Sequence, residues 1–180
     1  MLNDMVVVIS VASMNFARKP ELPYYEYSSW IAEFWNTTSN IIFFVLGMAR
    51  YYDSRQTNMK RRANPQKPNP MPTLWLLMAA AGVCSAFHHS QTMRWTIVVD
   101  WIPIGGNILY VLVYHRYLLN YVSVAAWCGF AFAMSMLVVD HVATLLPVPW
   151  GHVMWHVAAA YSITSAFQDM DRFFARVLPD

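Results

Sequence analysis

PTLWLLMAAAGVCSAFHHSQTMRWTIVVDWIPIGGNILYVLVYH, residues 72–115, decides how the rest of the chain is read. It holds two apolar runs, 72–91 and 95–115, each close to the ~20 residues that a helix needs to cross a bilayer. Ionisable residues inside such runs cost about 2.5–3.5 kcal/mol each on insertion scales, so those that persist call for a function or a partner. Here His88, His89 and Asp100 gather at the junction between the two runs.

Working outward, further apolar stretches at about 29–51, 118–146 and 150–170 bring the expectation to five spans in an all-α, polytopic bundle. Hydrophobic residues make up 57% of the chain and charged residues 12%, about half the charge of a soluble domain, which points to a bilayer. Residues 52–70 hold Arg55, Lys60, Arg61, Arg62 and Lys67 with three prolines and read as a basic, solvated cytoplasmic loop. The fourth stretch is long and is expected to tilt, or to bend near Leu145-Leu146-Pro147. The run Met5 to Met14 is too short to span and lacks a basic leader, so it reads as an interfacial or capping segment. No internal repeat is visible.

Orientation follows from Lys and Arg, which favour cytoplasmic loops. Five spans with the N-terminus outside or luminal put Arg50, Arg55, Lys60, Arg61, Arg62, Lys67, Arg116, Arg172 and Arg176 inside, leaving Arg18, Lys19 and Arg94 outside. The C-terminus is then cytoplasmic. The formal net charge of +2 offers nothing for nucleic acid to bind. Cys84 and Cys128 lie in apolar stretches without CxxC spacing and read as packing residues.

With alternating spans, Glu33, Ser85, His88, His89, Asp100, His152 and His156 all fall in one layer near the outer surface. His152 and His156 are four apart, so both imidazoles share one helix face, the spacing a metal needs from a helix. A third histidine from another helix, His89 or His88, completes the three-ligand arrangement of catalytic zinc, which lowers the pKa of a bound water to ~7. Without a metal the same pair reads as interfacial hydrogen bonding. Ser85 shares a face with His89 and either donates to an oxyanion or bonds back to a carbonyl one turn earlier. Asp100 needs a partner among Val98, Val99 and Trp101: a water on the metal, a ligating histidine, or Arg94. Asp140 and His141 read either as a structural pair or as support for the site, and His115, beside Arg116, as an interfacial anchor. Trp30, Trp35, Trp95, Trp101, Trp150 and Trp155 read as an aromatic belt. Asn36-Thr37-Thr38 matches a glycosylation sequon but lies inside a span.

At these residues the chain resembles the alkaline ceramidase family, membrane amidases related to the progestin and adiponectin receptors. WIAEFWNTTSN at 30–40, SAFHHSQTMRWTIVVDWIPI at 85–104 and HVMWH at 152–156 carry the likeness. The family's serine precedes its zinc histidine by four residues and its aspartate follows by eleven. Ser85, His89 and Asp100 fit both intervals; His88 fits neither. The resemblance implies zinc on His89, His152 and His156, a water deprotonated by Asp100, an oxyanion held by Ser85, and hydrolysis of a linear amide in a ceramide-like lipid to a sphingoid base and a fatty acid. It also implies calcium, which animal members bind through an acidic N-terminal cluster and a glutamate matched by Glu33. Glu21 and Glu26 are the acidic residues available before it, in a different spacing. Family members have seven spans and this chain five, which bears on the wall of the substrate pocket. The competing classes are a zinc-containing receptor without catalysis, a di-iron lipid desaturase or hydroxylase, which would draw on about eight histidines where this chain has six, and a haem-binding bundle.

Overall fold

The computed structural model describes residues 31, 33–60, 69–91, 95–142 and 150–177. Among them the architecture is all helical: α1 (Phe34–Ser39), α2 (Ile41–Lys60), α3 (Met71–Gln91), α4 (Thr96–Tyr114), a 3-10 helix (Arg116–Tyr121), α5 (Val124–Val142) and α6 (Gly151–Val177). Met5 to Met14, Glu21, Glu26, Trp30, Arg94 and the bend expected at 145–147 lie outside the described residues.

Helix α3 packs against α2 on one side and α4 on the other, while α5 packs along α6. The short α1 lies against both α3 and α6, the two helices that carry the histidine motifs. Trp75, Leu74, Met71 and Met78 of α3 are almost wholly buried, and Trp75 meets Phe167 of α6 edge to face at 5.0 Å. The contact between α2 and α3 is close because both helices present glycine. A Cβ on Gly47 would lie 2.6 Å from the Ala79 backbone nitrogen, and one on Gly82 would lie 2.7 Å from that of Phe44.

The helix boundaries correct the hydropathy reading in three places. The stretch 29–51 is not one helix, because α1 ends at Ser39 and α2 starts after the single residue Asn40. Thr38 and Ser39 bond back to the carbonyls of Phe34, Trp35 and Asn36, a side-chain pattern that bends helices. Next, α2 continues beyond residue 51 to Lys60, so the first part of the expected loop 52–70 is helical. Its sequence YYDSRQTNMK contains neither proline nor glycine to stop it. Lastly, α5 begins at Val124 rather than near 118, because Ser123 caps it: the Ser123 hydroxyl accepts the Ala126 N–H at 3.3 Å. Asp169 of α6 in turn accepts the Ser123 N–H at 2.9 Å.

Helices α3 and α4 are each long and apolar enough to cross a membrane, and Val124–Val139 of α5 forms a shorter apolar helix. Only 17% of the apolar window of α4 is buried, unlike the core helix of a soluble protein. Ile102, Leu109 and Val113 on α4, and Val124, Phe130 and Val138 on α5, stand exposed.

Candidate metal centre

Three imidazoles meet where the C-terminal end of α3 faces the N-terminal end of α6. His89 and His156 are buried and His152 is partly exposed, with one ring nitrogen from each lying within 4.8 Å of the others. The rings of His89 and His152 are 4.7 Å apart, those of His152 and His156 4.7 Å, and those of His89 and His156 5.3 Å. Nε2 of His89 and Nε2 of His152 face each other at 3.2 Å. Two ring nitrogens so placed need either one shared proton or one common cation. Tetrahedral zinc at ~2.0–2.1 Å from each nitrogen sets neighbouring ligands about 3.3 Å apart, so the observed pair fits one edge of that polyhedron.

The far nitrogens of two rings are already engaged, as they are in metal-ligating histidines. Nδ1 of His89 lies 2.6 Å from Oε2 of Glu33, and the Glu33 backbone N–H donates to the His89 carbonyl at 3.1 Å. Asn36 donates to the same Oε2 at 2.9 Å. Nδ1 of His156 lies 2.7 Å from the hydroxyl of Ser39. Helix α1 thus reaches both buried histidines. Asn36 is 5% exposed, and with its side-chain nitrogen on Glu33 it cannot carry a glycan in the folded chain.

His88, adjacent in sequence, is turned elsewhere: its Nδ1 lies 2.7 Å from the Thr96 hydroxyl on α4, outside the cluster. Asp100 follows Thr96 by one turn on the same face of α4 and has His88 and Cys84 as electrostatic neighbours. Its Oδ1 is buried with no hydrogen-bond partner among the described residues. The Asp100 oxygen thus keeps bonding capacity that buried polar atoms rarely leave unused. Ser85 stands one turn before His89 on α3 and is 7% exposed.

Of the residues expected to bind calcium, only Glu33 is described, and its carboxylate is turned to His89. The backbone of Asp140 and His141 lies at the C-terminal end of α5. Trp35, Trp95, Trp101 and Trp150 are exposed, Trp155 packs against the core, and the rings of Trp35 and Trp150 meet at 5.5 Å. Both cysteines are free thiols. Sequence reasoning missed Ser39 and Asn36. Their signal was that Glu33, Asn36 and Ser39 or Asn40 recur at three to four residues, which puts them on one helix face.

A family model described as ceramidase matches residues 23–169, which contain all of these groups. No curated protein and no solved structure matches the chain.

Proposed function

The chain belongs to the ceramidase family, and from that membership we propose that it is a zinc-dependent integral membrane amidase that cleaves the N-acyl amide of a ceramide-like lipid. The observation that carries this reading is the convergence of His89, His152 and His156, with Nε2 atoms of the first two 3.2 Å apart. The donor set, three imidazoles, is the one that catalytic zinc takes. A zinc ion held there would supply Lewis acidity and activate a water toward attack on a carbonyl.

The remaining chemistry falls to the chain's own side chains. Asp100 takes the proton of the attacking water, using the carboxylate oxygen that has no hydrogen-bond partner among the described residues. The Ser85 hydroxyl donates to the carbonyl oxygen as negative charge grows on it. The new C–O bond forms first and places the negative charge on the carbonyl oxygen; the amide C–N bond then breaks as the proton held by Asp100 passes to the departing amine. The products are a sphingoid base and a fatty acid. His152, the most exposed of the three ligands, marks the side from which the amide approaches.

The exposed apolar residues of α4 and α5 are what a lipid-facing surface presents. With the lysine and arginine distribution they support a multi-pass protein of five spans, N-terminus outside or luminal and C-terminus cytoplasmic. Such a placement suits a substrate whose amide lies at the headgroup boundary.

The test is fatty-acid release from a panel of N-acyl lipids by the purified, zinc-replete protein and by His152→Ala and Asp100→Asn. We expect release by the wild type from at least one ceramide or related N-acyl amide and loss of it in both variants. Absence of release from every lipid by a zinc-loaded wild type overturns the amidase reading in favour of a receptor whose metal is structural.

A further inference from the structure

Ser39 has a hydrogen-bonding direction that the geometry fixes. Its hydroxyl lies 3.0 Å from the Asn36 carbonyl, which can only accept, so the Ser39 proton is committed there. Toward Nδ1 of His156, 2.7 Å away, the same oxygen must then accept. With the Ser39 proton on Asn36, Nδ1 of His156 is the donor and Nε2 keeps its lone pair. His156 is 3% exposed, which shields this choice from bulk water. Asn36 joins the arrangement to the other histidine, since its side-chain nitrogen donates to the Glu33 carboxylate that meets His89.

We propose that Ser39 is the positioning residue of His156: from α1 it selects the tautomer and fixes the ring plane that present Nε2 to the metal. The proposal rests on the metal-centre reading above. It gives α1, six residues long, a task besides packing, because one turn of chain sets the proton position on a buried histidine of α6 117 residues away. Partners of this kind typically govern metal affinity by 10–100-fold.

The test compares Ser39→Thr with Ser39→Val, which have the same shape and differ in the hydroxyl alone. The readout is zinc affinity of the full-length purified chain, measured by competition with a chromophoric chelator. We expect Ser39→Thr to bind zinc close to the wild type, and Ser39→Val to bind it about 10–100-fold more weakly. In a His156→Ala background the two should differ by less than about twofold, since the hydroxyl acts only through that ring. Equal affinity of the Thr and Val variants overturns the proposal, as does a loss of equal size in the His156→Ala background, which would mark a purely structural role. A wild type that binds no zinc overturns the metal centre itself, and this proposal with it.

Discussion

Glu33 and His89 are joined at two points: the carboxylate lies 2.6 Å from the imidazole Nδ1, and the Glu33 N–H donates to the His89 carbonyl at 3.1 Å. A carboxylate on the far nitrogen of a ligating histidine fixes its orientation and raises its basicity. In the proposed metal centre the glutamate would act through the far nitrogen of His89.

Glu33→Gln keeps the shape and removes the charge. We expect zinc affinity about 10–100-fold lower than wild type, with helix content by circular dichroism unchanged, because the backbone bond to His89 survives. Chelator competition measures the first and far-ultraviolet spectra the second. Unchanged affinity would show that the carboxylate leaves the ligand untuned.

Asp100 and Ser85 should separate chemistry from metal retention. Asp100→Asn removes the base and is expected to lower kcat about 10²–10⁴-fold, and Ser85→Ala to lower it about 10²–10³-fold. Zinc content, by elemental analysis, should stay near one equivalent in both. His89→Ala and His156→Ala should lose activity and bind zinc far more weakly, through the two imidazoles that remain. If Asp100→Asn also loses its zinc, the aspartate belongs with the ligands.

How much of this could be read in advance depends on what each feature contributes to hydropathy. The helical class and the runs that became α3 and α4 were legible, because uninterrupted apolar stretches dominate any average along the chain, whereas α6 runs to Val177, beyond the expected end at 170. The breaks at Asn40 and Ser123 were not legible, since each depends on specific side-chain hydrogen bonds inside a window whose average hydropathy stays high. The choice between His88 and His89 could not be made from helix periodicity, as neighbouring residues point only 100° apart on a helix of 3.6 residues per turn. It came from the spacing shared with a known family, and the packing accounts for it physically: His88 is held by Thr96 of α4, while His89 turns to α1 and α6. Ser39 stayed hidden because a helical serine is equally well explained by back-bonding, and its partner is 117 residues distant.

The glycines between α2 and α3 should be among the least replaceable residues outside the metal centre. Lipid offers little hydrophobic drive between helices, so their association depends on close packing, and small residues permit it. A Cβ on Gly47 or Gly82 meets backbone atoms under 3.0 Å away, which cannot swing aside. Gly47→Ala and Gly82→Ala should each destabilise the detergent-solubilised protein by about 1–3 kcal/mol in denaturant titrations. Gly106→Ala is the control: its Cβ would meet only Leu77 Cδ2 at an ordinary 3.8 Å, so stability should be unchanged or slightly raised.

Orientation is open to a test that does not depend on the metal. Nine of the twelve lysines and arginines fall on the side proposed to be cytoplasmic, and such residues resist transfer across the membrane during insertion. An acceptor sequon on a flexible spacer before residue 1 should be glycosylated in microsomes, whereas the same tag between residues 62 and 67 or after Asp180 should not. Replacing Arg55, Lys60, Arg61, Arg62 and Lys67 by glutamine removes the bias around one loop. We expect a mixed population, visible as partial glycosylation of the tag at 62–67. Complete glycosylation of that tag in the unmodified chain would invert the topology and place His89, His152 and His156 at the cytoplasmic boundary.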